Sequence, residues 1–354
     1  MTEQEYRALD RVSYSSLSKL ASSPQAYKAG VEGQKEETSY MTLGTVVDML
    51  LTDKKRFDDE VYVMTADKPS AETMLMYCNT LAETGDSIKA YQASGYKISP
   101  NAVSTKFDKE GRAYFDALLD AKGKLIIDAD GMFTANQIVA ELTSNLFTKG
   151  YFLPTRSPDI ELKFQVPILW EVQTKSLIDP EEIVTTELKS LLDVVFIDHR
   201  KGLVLPVDLK TGGEGFMKSY WRYHRYLQGA MYTDAVRGRR WQRHDEAERE
   251  YEVEPMRFVF ADTNLIHPPV VWCMSQLDVL GGKEGIPYLA LRPGISAGGK
   301  DEMVWVPTDR IKRKGYLQLI AELDWHTKMD QWRYSYDTYQ KNGEMEIDAF
   351  EIRI

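Results

Sequence analysis

Asp208 and Lys210 stand two residues apart in the apolar stretch Pro206-Val207-Asp208-Leu209-Lys210. On a strand, residues at this spacing emerge on one face, with the carbonyl of Leu209 between them. Such a face offers a carboxylate that can hold a hard cation. It also offers an ammonium that can hold an attacking water or stabilise negative charge developing at phosphorus. An ion pair on a solvated face uses the same two residues. What separates the two readings is whether other groups converge on the pair.

A second carboxylate does so by strand pairing. The runs 187–197 (ELKSLLDVVFI) and 203–210 (LVLPVDLK) are joined by Asp198-His199-Arg200-Lys201-Gly202, a polar turn ending in glycine, which predicts a hairpin. Centring the turn between Arg200 and Lys201 makes Asp193 the cross-strand neighbour of Asp208, with Cα atoms about 5 Å apart. Like charges opposed in a sheet destabilise it unless something positive lies between them. Oxygen ligands without histidine favour Mg²⁺ or Mn²⁺.

Other residues extend the constellation. Asp48 lies inside Val46-Val47-Asp48-Met49-Leu50-Leu51, where a buried charge needs a partner: a metal shared with Asp193 and Asp208, or a buried lysine. Gln228 and Tyr232 are four apart on a predicted helix, with Trp221 and Arg225 one or two turns earlier, and that face suits either phosphate positioning or aromatic packing. Glu161, alternating with Lys163 and Gln165, is a further metal-ligand or base candidate, or the wet side of a sheet. Two cysteines, Cys78 and Cys273, read as inert core thiols and cannot build a cysteine-ligated cluster. Five scattered histidines form no HExxH or HxH pair.

The elements that must position these residues are legible in outline. Ser13 caps a short helix carrying Leu17 and Leu20, and Ser23-Pro24 opens another. Apolar or amphipathic helices are expected over 42–51, 70–92, 105–122 and 134–150, the last ending on Gly150 as a C-cap. After residue 157 the period changes to two: Ile160, Leu162, Phe164 and Val166 mark a half-buried strand ahead of the hairpin. A helix over 217–236, strands over 257–262 and 269–274, and a long closing helix over 309–340 complete an α/β order with a mixed central sheet flanked by helices. The linker-like stretches are Thr211–Gly215 and Arg292–Lys300. One elaborated domain is expected over 1–354. Its parts are a helical N-terminal part of the site (1–60), a mainly helical insertion (61–156), a core (157–275) and a helical C-terminal region with an acidic tail (276–354).

Composition bounds the function. The chain of 354 residues has 43% hydrophobic and 28% charged residues, which is globular composition. No run of about 18 apolar residues is present, and the polar start points away from a secretory leader, so a cytoplasmic protein with no membrane segment is expected. A net charge of −10 repels nucleic acid overall. A DNA substrate would therefore need local basic clusters: Arg200-Lys201, Arg222 with Arg225, Arg237–Arg243 or Arg310–Lys314. Each of these also reads as a solvated surface. No GxxxxGK[ST] phosphate loop occurs.

In this order, Pro206-Val207-Asp208-Leu209-Lys210, the upstream Asp193 in LLDVVFID and the downstream Gln228-x-x-x-Tyr232 resemble the PD-(D/E)XK nuclease superfamily. The opening SYSSLSKLASSPQAYK (Ser13 to Lys28) and TLGTVVDMLL (Thr42 to Leu51) are similar to the exonuclease VIII group of RecB-like phage and prophage exonucleases. The resemblance covers residues 13–60 and 157–275. It implies a restriction-endonuclease-like core in which Asp48, Asp193, Asp208 and the Leu209 carbonyl hold one or two Mg²⁺ ions. Lys210 would activate water, and Gln228 with Tyr232 would fix the substrate or the lysine. Asp48 stands where the resemblance calls for histidine, which shifts metal preference but keeps a hard ligand. Also implied are 5′-to-3′ digestion of linear double-stranded DNA, a homo-oligomeric ring, and a single-strand annealing recombinase as partner, reached through the tail Glu344–Glu351. The alternatives are a structure-specific or single-strand endonuclease on the same core, and a non-catalytic DNA-binding subunit.

Overall fold

The computed structural model describes residues 1, 3–32, 39–154, 157–242, 250–295 and 301–344. The tail beyond Glu344, Arg243 and residues 296–300 of the expected linker lie outside them. The chain divides into two compact units, Met1–Glu36 with Thr143–Ile354, and Glu37–Leu142. The helix bearing Asp48, expected with the N-terminal part of the site, thus belongs to the smaller unit.

The larger unit begins with α1 (Glu3–Ala8), α2 (Tyr14–Ser22) and α3 (Pro24–Glu32). Ser13 caps α2 as its sequence predicts: its hydroxyl accepts from the Ser16 amide while the Ser16 hydroxyl accepts from its own. Leu17 and Leu20 then fall one turn apart on the buried face.

The smaller unit comprises α4 (Ser39–Thr52), α5 (Lys54–Glu60), β1 (Val61–Met64), α6 (Glu72–Thr84), α7 (Ser87–Ser94), α8 (Pro100–Glu110), α9 (Arg112–Asp120), β2 (Leu125–Asp128) and α10 (Ala129–Ser144). Both long helices expected here are broken. Gly85 closes α6 in the left-handed region (φ 67°), and Asp86 accepts the amides of Ile88 and Lys89 to start α7. Gly111 separates α8 from α9 where a side chain would meet Cys78 and Met74 at 2.8 Å. The parallel pair β1–β2 is an addition to the expected helices. Gly150 does not cap α10, which stops at Ser144; it lies inside the single turn α11 (Lys149–Phe152).

The sheet of the larger unit is built from β3 (Ile160–Lys175), β4 (Ile183–Asp198) and β5 (Leu203–Gly212), followed by α12 (Phe216–Arg222), α13 (Arg225–Arg237), β6 (Glu252–Val253), β7 (Arg257–Asp262) and β8 (Val270–Cys273). Its order is β3-β4-β5-β7-β8, with β6 also on β5. β5 pairs parallel to β6 and β7, and the other pairs are antiparallel. A parallel β5–β7 pair needs a crossover, which α12 and α13 supply. α14 (Gln276–Glu284), the hairpin β9 (Ile286–Ile295) and β10 (Asp301–Arg313), α15 (Tyr316–Met329) and α16 (Tyr336–Gln340) complete the unit. The closing helix expected over 309–340 therefore starts only at Tyr316. Met303-Val304-Trp305-Val306 is a short apolar run that the charged residues after it mask, and the linker expected from Arg292 is strand β9 up to Ile295.

α13 is buried on nearly all sides: ten of its residues from Tyr226 to Val236, and Arg225, are buried. A helix buried around most of its circumference belongs in the middle of a core. Leu227, Met231 and Val236 pack there with Leu17 and Leu20 of α2, Leu188 and Leu192 of β4, and Leu319, Ile320 and Leu323 of α15. Close approach of α14 to α13 depends on Gly282, whose added Cβ would lie 2.3 Å from the Tyr226 carbonyl oxygen, a main-chain atom that cannot rotate away. Cys78 is buried as expected, whereas Cys273 is exposed near the end of β8.

Gly282→Ala is expected to destabilise the protein by about 1–3 kcal/mol through overpacking. Gly150→Ala, in a helical turn with nothing within 4 Å of the added Cβ, is expected to be neutral or to stabilise by up to about 1 kcal/mol. Urea midpoints of the two variants check both.

Candidate active site

The hairpin has the predicted register. Asp198 pairs with Leu203, and the ladder runs inward to Val194 opposite Val207, so Asp193 and Asp208 are next in line. There the ladder opens. In place of a main-chain bond, the Asp193 Oδ2 accepts the Leu209 amide at 2.8 Å. Leu209's carbonyl leaves the strand on the same side as its amide, so Asp193 and that carbonyl share one edge of β5.

The opening has a counterpart on β3. Gln165, the residue that would face Asp193, is missing from the β3–β4 ladder and has φ 49°. Core-facing residues of β4 change parity at this point, from Leu188 and Leu192 to Val195 and Ile197. A period-two strand changes parity only if one residue is turned out of the pleat. This is why the expected alternation over 160–166 is blurred, with every residue from Ile160 to Gln165 half-buried. The distortion turns Asp193 onto the core side, with Val195, Ile197, Val204 and Asp208.

Asp208 is 1% exposed. Its Oδ1 accepts from Gln228 Nε2 of α13 at 2.7 Å. Its Oδ2 is ion-paired with Lys210 Nζ, yet receives no correctly directed hydrogen bond. The charge is compensated while the lone pairs are not. Gln228 Oε1 is also buried without a donor. Tyr232, one turn further along α13, is buried beside the same carboxylates. Burial, then Asp208, Tyr6 and Asp193, hold its phenol well above the usual range, with the Gln228 side chain opposing in part. It stays neutral at any working pH.

The helix expected over 217–236 is interrupted at Tyr223 and His224. His224 has φ 52° and precedes α13 without offering a side-chain cap. The Tyr223 carbonyl, freed by the break, accepts from Tyr14 Oη at 2.5 Å and Ser18 Oγ at 3.1 Å, two residues of α2 spaced i, i+4. Sequence reasoning missed these two, although the spacing within Ser13-Tyr14-Ser15-Ser16-Leu17-Ser18 was the available signal. Arg225 starts α13 beneath the Tyr223 ring, 5.5 Å from its centroid, and is 9% exposed. Burial lowers its pKa, opposed by Tyr14, Asp208 and Tyr223. Of nine buried side-chain atoms without a hydrogen-bond partner among the described residues, four belong here: Asp208 Oδ2, His224 Nδ1, Arg225 Nε and Gln228 Oε1. Unsatisfied groups are rare in native interiors, so their gathering in one place marks a site.

The remaining expected residues stand elsewhere. Glu161 pairs opposite Ile197, four residues along β4 from Asp193. Its carboxylate is bound to His199 Nε2 at 3.0 Å and Lys163 at 3.3 Å, and His199 Nδ1 meets Tyr251 Oη at 2.9 Å. Burial pushes the Glu161 carboxyl up, but His199 and Lys163 outweigh it and leave the pKa lowered. Asp48 is half-buried between the buried Val47 and Met49 of α4, so it is not the fully buried charge that its neighbours suggest. Arg222 is 59% exposed and reaches Glu214 at 3.6 Å. Lys201, in the hairpin turn, reaches Asp198 at 3.6 Å and Arg237 reaches Asp234 at 3.1 Å. Among the described residues, no three His, Cys, Asp or Glu side chains are gathered to hold a metal ion. The hard donors available at the hairpin are two carboxylates and the Leu209 carbonyl.

No family model and no curated protein matches the chain. Among solved structures, a candidate exonuclease from Eubacterium rectale is similar at 13% identity and a TM-score of 0.40, over 79% of this chain and 80% of that one. The SSO0001 protein is similar at 11% identity and a TM-score of 0.23, over 69% and 82%. Likeness at these TM-scores assigns neither fold family nor activity.

Removing one partner of a buried ion pair leaves an uncompensated charge. Lys210→Met is therefore expected to cost about 3 kcal/mol in the metal-free protein, and Lys210→Met with Asp208→Asn clearly less, by urea unfolding in chelator. His224 and His326 add a pH dependence. Burial, with Arg313 beside His224, holds both below the usual 6.5 in the folded state. The unfolded chain then binds more protons below that value, so stability is complete above pH 6.5 and falls on acidification. His224→Asn, which also suits the left-handed backbone, should make the midpoint-against-pH curve shallower.

Proposed function

We propose that the chain is a divalent-metal-dependent deoxyribonuclease that hydrolyses phosphodiester bonds of linear double-stranded DNA. The reading is supported by the opened β4–β5 ladder, which leaves Asp193, the Leu209 carbonyl and Lys210 around a buried Asp208 oxygen that is ion-paired to Lys210 but receives no correctly directed hydrogen bond. All-oxygen donors of this kind suit a hard cation, with water completing the shell. Asp193, Asp208 and the Leu209 carbonyl would hold Mg²⁺ or Mn²⁺. When bound, the ion offsets charge on the phosphoryl oxygens and acidifies a water.

The chain's own residues supply the rest. Gln228 fixes the Asp208 carboxylate through Oδ1 and leaves Oδ2 to the cation side. Lys210 is 21% exposed and so open to solvent and substrate, unlike the buried Asp208 and Gln228. Its ammonium holds the attacking water or the charge that develops on the phosphoryl oxygens. The water oxygen bonds to phosphorus, the bond from phosphorus to the leaving sugar oxygen breaks, and that oxygen takes up a proton. Tyr232, neutral throughout, backs Gln228 without competing for the cation. The resemblance to exonuclease VIII-like enzymes extends the proposal to 5′-to-3′ action from ends, a homo-oligomeric ring and an annealing recombinase as partner.

With Mg²⁺ or Mn²⁺ the protein is expected to degrade linear duplex, to leave covalently closed circular duplex intact, and to do neither in chelator. Lys210→Ala should slow digestion at least about 100-fold. Digestion by that variant at the parental rate would remove the assigned chemistry, and cleavage of the closed circle would make the enzyme an endonuclease.

A further inference from the structure

Among the described residues, Arg225 has no anionic partner. It is 9% exposed, its Nε is buried without a hydrogen bond, and none of its nitrogens lies within ion-pair distance of a described carboxylate. Its contact is the Tyr223 ring at 5.5 Å. A cation largely removed from water without a partner is costly, and interiors seldom keep one uncompensated. Asp208 is near enough for the two charges to interact, yet is taken up by Gln228 and Lys210.

The surroundings are those of an anion site. Arg225 is the first residue of α13, a helix of 13 residues whose leading amides receive no side-chain cap. The Leu227 amide bonds the His224 carbonyl at 2.9 Å; the earlier amides of Arg225 and Tyr226 and the positive end of the helix dipole favour an anion there. His224, in the left-handed region, turns the chain into α13 immediately before Arg225, and Tyr14 and Ser18 hold the turn by the Tyr223 carbonyl. Gln228, which reaches Asp208, lies three residues further on, the spacing at which helix side chains are neighbours.

We infer that Arg225 and the N-terminus of α13 form a phosphate-binding subsite beside the Asp193–Asp208–Lys210 cluster, with the guanidinium taking two phosphate oxygens in bidentate fashion. A planar fork suits this task, where a lysine would act only as a point charge. That the phosphate belongs to a DNA strand rests on the proposed nuclease reading; that an oxyanion binds here does not. Within DNA, the group is either an internal phosphodiester or a terminal phosphomonoester.

The test uses the full chain in chelator, where no cleavage occurs. Inorganic phosphate, compared with chloride at equal ionic strength, is expected to raise the melting temperature of the parent. In Arg225→Met the phosphate-specific shift should be lost, while stability without phosphate should equal or exceed the parent's, because an unpaired buried charge has gone. Arg225→Lys should keep less than half of the shift. For duplex DNA, Arg225→Met should weaken binding about tenfold and reduce the slope of log K against log salt by about one. Loss confined to ends bearing a 5′-phosphate identifies the monoester, and equal loss with 5′-hydroxyl ends identifies the diester. An unchanged phosphate shift in Arg225→Met, or a variant that is much less stable without phosphate, would overturn the subsite and make Arg225 a structural residue. If the parent shows no cleavage in Mg²⁺ or Mn²⁺ but the phosphate shift still depends on Arg225, the nuclease reading fails and the subsite stands.

Discussion

A carboxylate that is 1% exposed in the middle of a sheet constrains everything built around Asp208. Alone, it would be neutralised or would unfold the strand that carries it. The protein compensates it from two directions. Lys210 comes from the same strand face and Gln228 from the helix above. Gln228 can reach only because α13 is sunk into the core, and α13 can sink because most of the residues it buries are apolar. The close crossing at Gly282, the parallel β5–β7 pair and the α12–α13 crossover all serve that placement. A pair of complementary charges could have been achieved with a simple salt bridge on the surface. Burying one member ties the local chemistry to the integrity of the whole unit.

The second carboxylate is placed by a fault in the sheet. Asp193 reaches the Leu209 amide because the β4–β5 ladder opens, and Gln165 on β3 takes a left-handed conformation opposite the same point. Such conformations are disfavoured for residues with a side chain, and they persist where surrounding structure holds them. Here the neighbouring strands hold it, with the ladder intact on either side of the gap. The change of parity along β4 is the visible consequence. It lets one strand contribute core residues at both ends while turning a carboxylate inward at the middle.

The period-two pattern and the turn chemistry were sufficient to read the hairpin, its register and the approach of Asp193 from the sequence, whereas helix spacing left Gln228 between phosphate positioning and packing. Helix caps at Ser13 and Ser23-Pro24 were equally legible, since capping depends on a few adjacent residues. What escaped was of two kinds. Interruptions at Gly85, Gly111 and His224 lie inside stretches that remain amphipathic across the break, so periodicity alone runs through them. The strand over 301–313 was hidden by a charge run that reads as a helix surface. Glu161 illustrates a further limit: alternation placed it on the correct strand, but only the register shows it bound to His199, four residues from Asp193 along the sheet. Asp48 was read from its apolar neighbours as buried, but a helix can bury Val46, Val47 and Met49 while leaving the residue between them half-exposed.

Asp208 and Arg225 carry opposite charges in one neighbourhood and could cancel in a direct pair, which would be the more stable arrangement for a protein with no other demand on them. They are kept apart instead. The break between α12 and α13 holds Arg225 under the Tyr223 ring, and α2 fastens the break through a single carbonyl with two hydroxyls. Three local costs accumulate there: a left-handed histidine, an uncapped helix end and an unpaired guanidinium. Natural cores tolerate departures of this sort where function needs them and relieve them elsewhere. An incoming oxyanion would satisfy the guanidinium and the helix amides together, so the energy withheld from folding becomes available for binding.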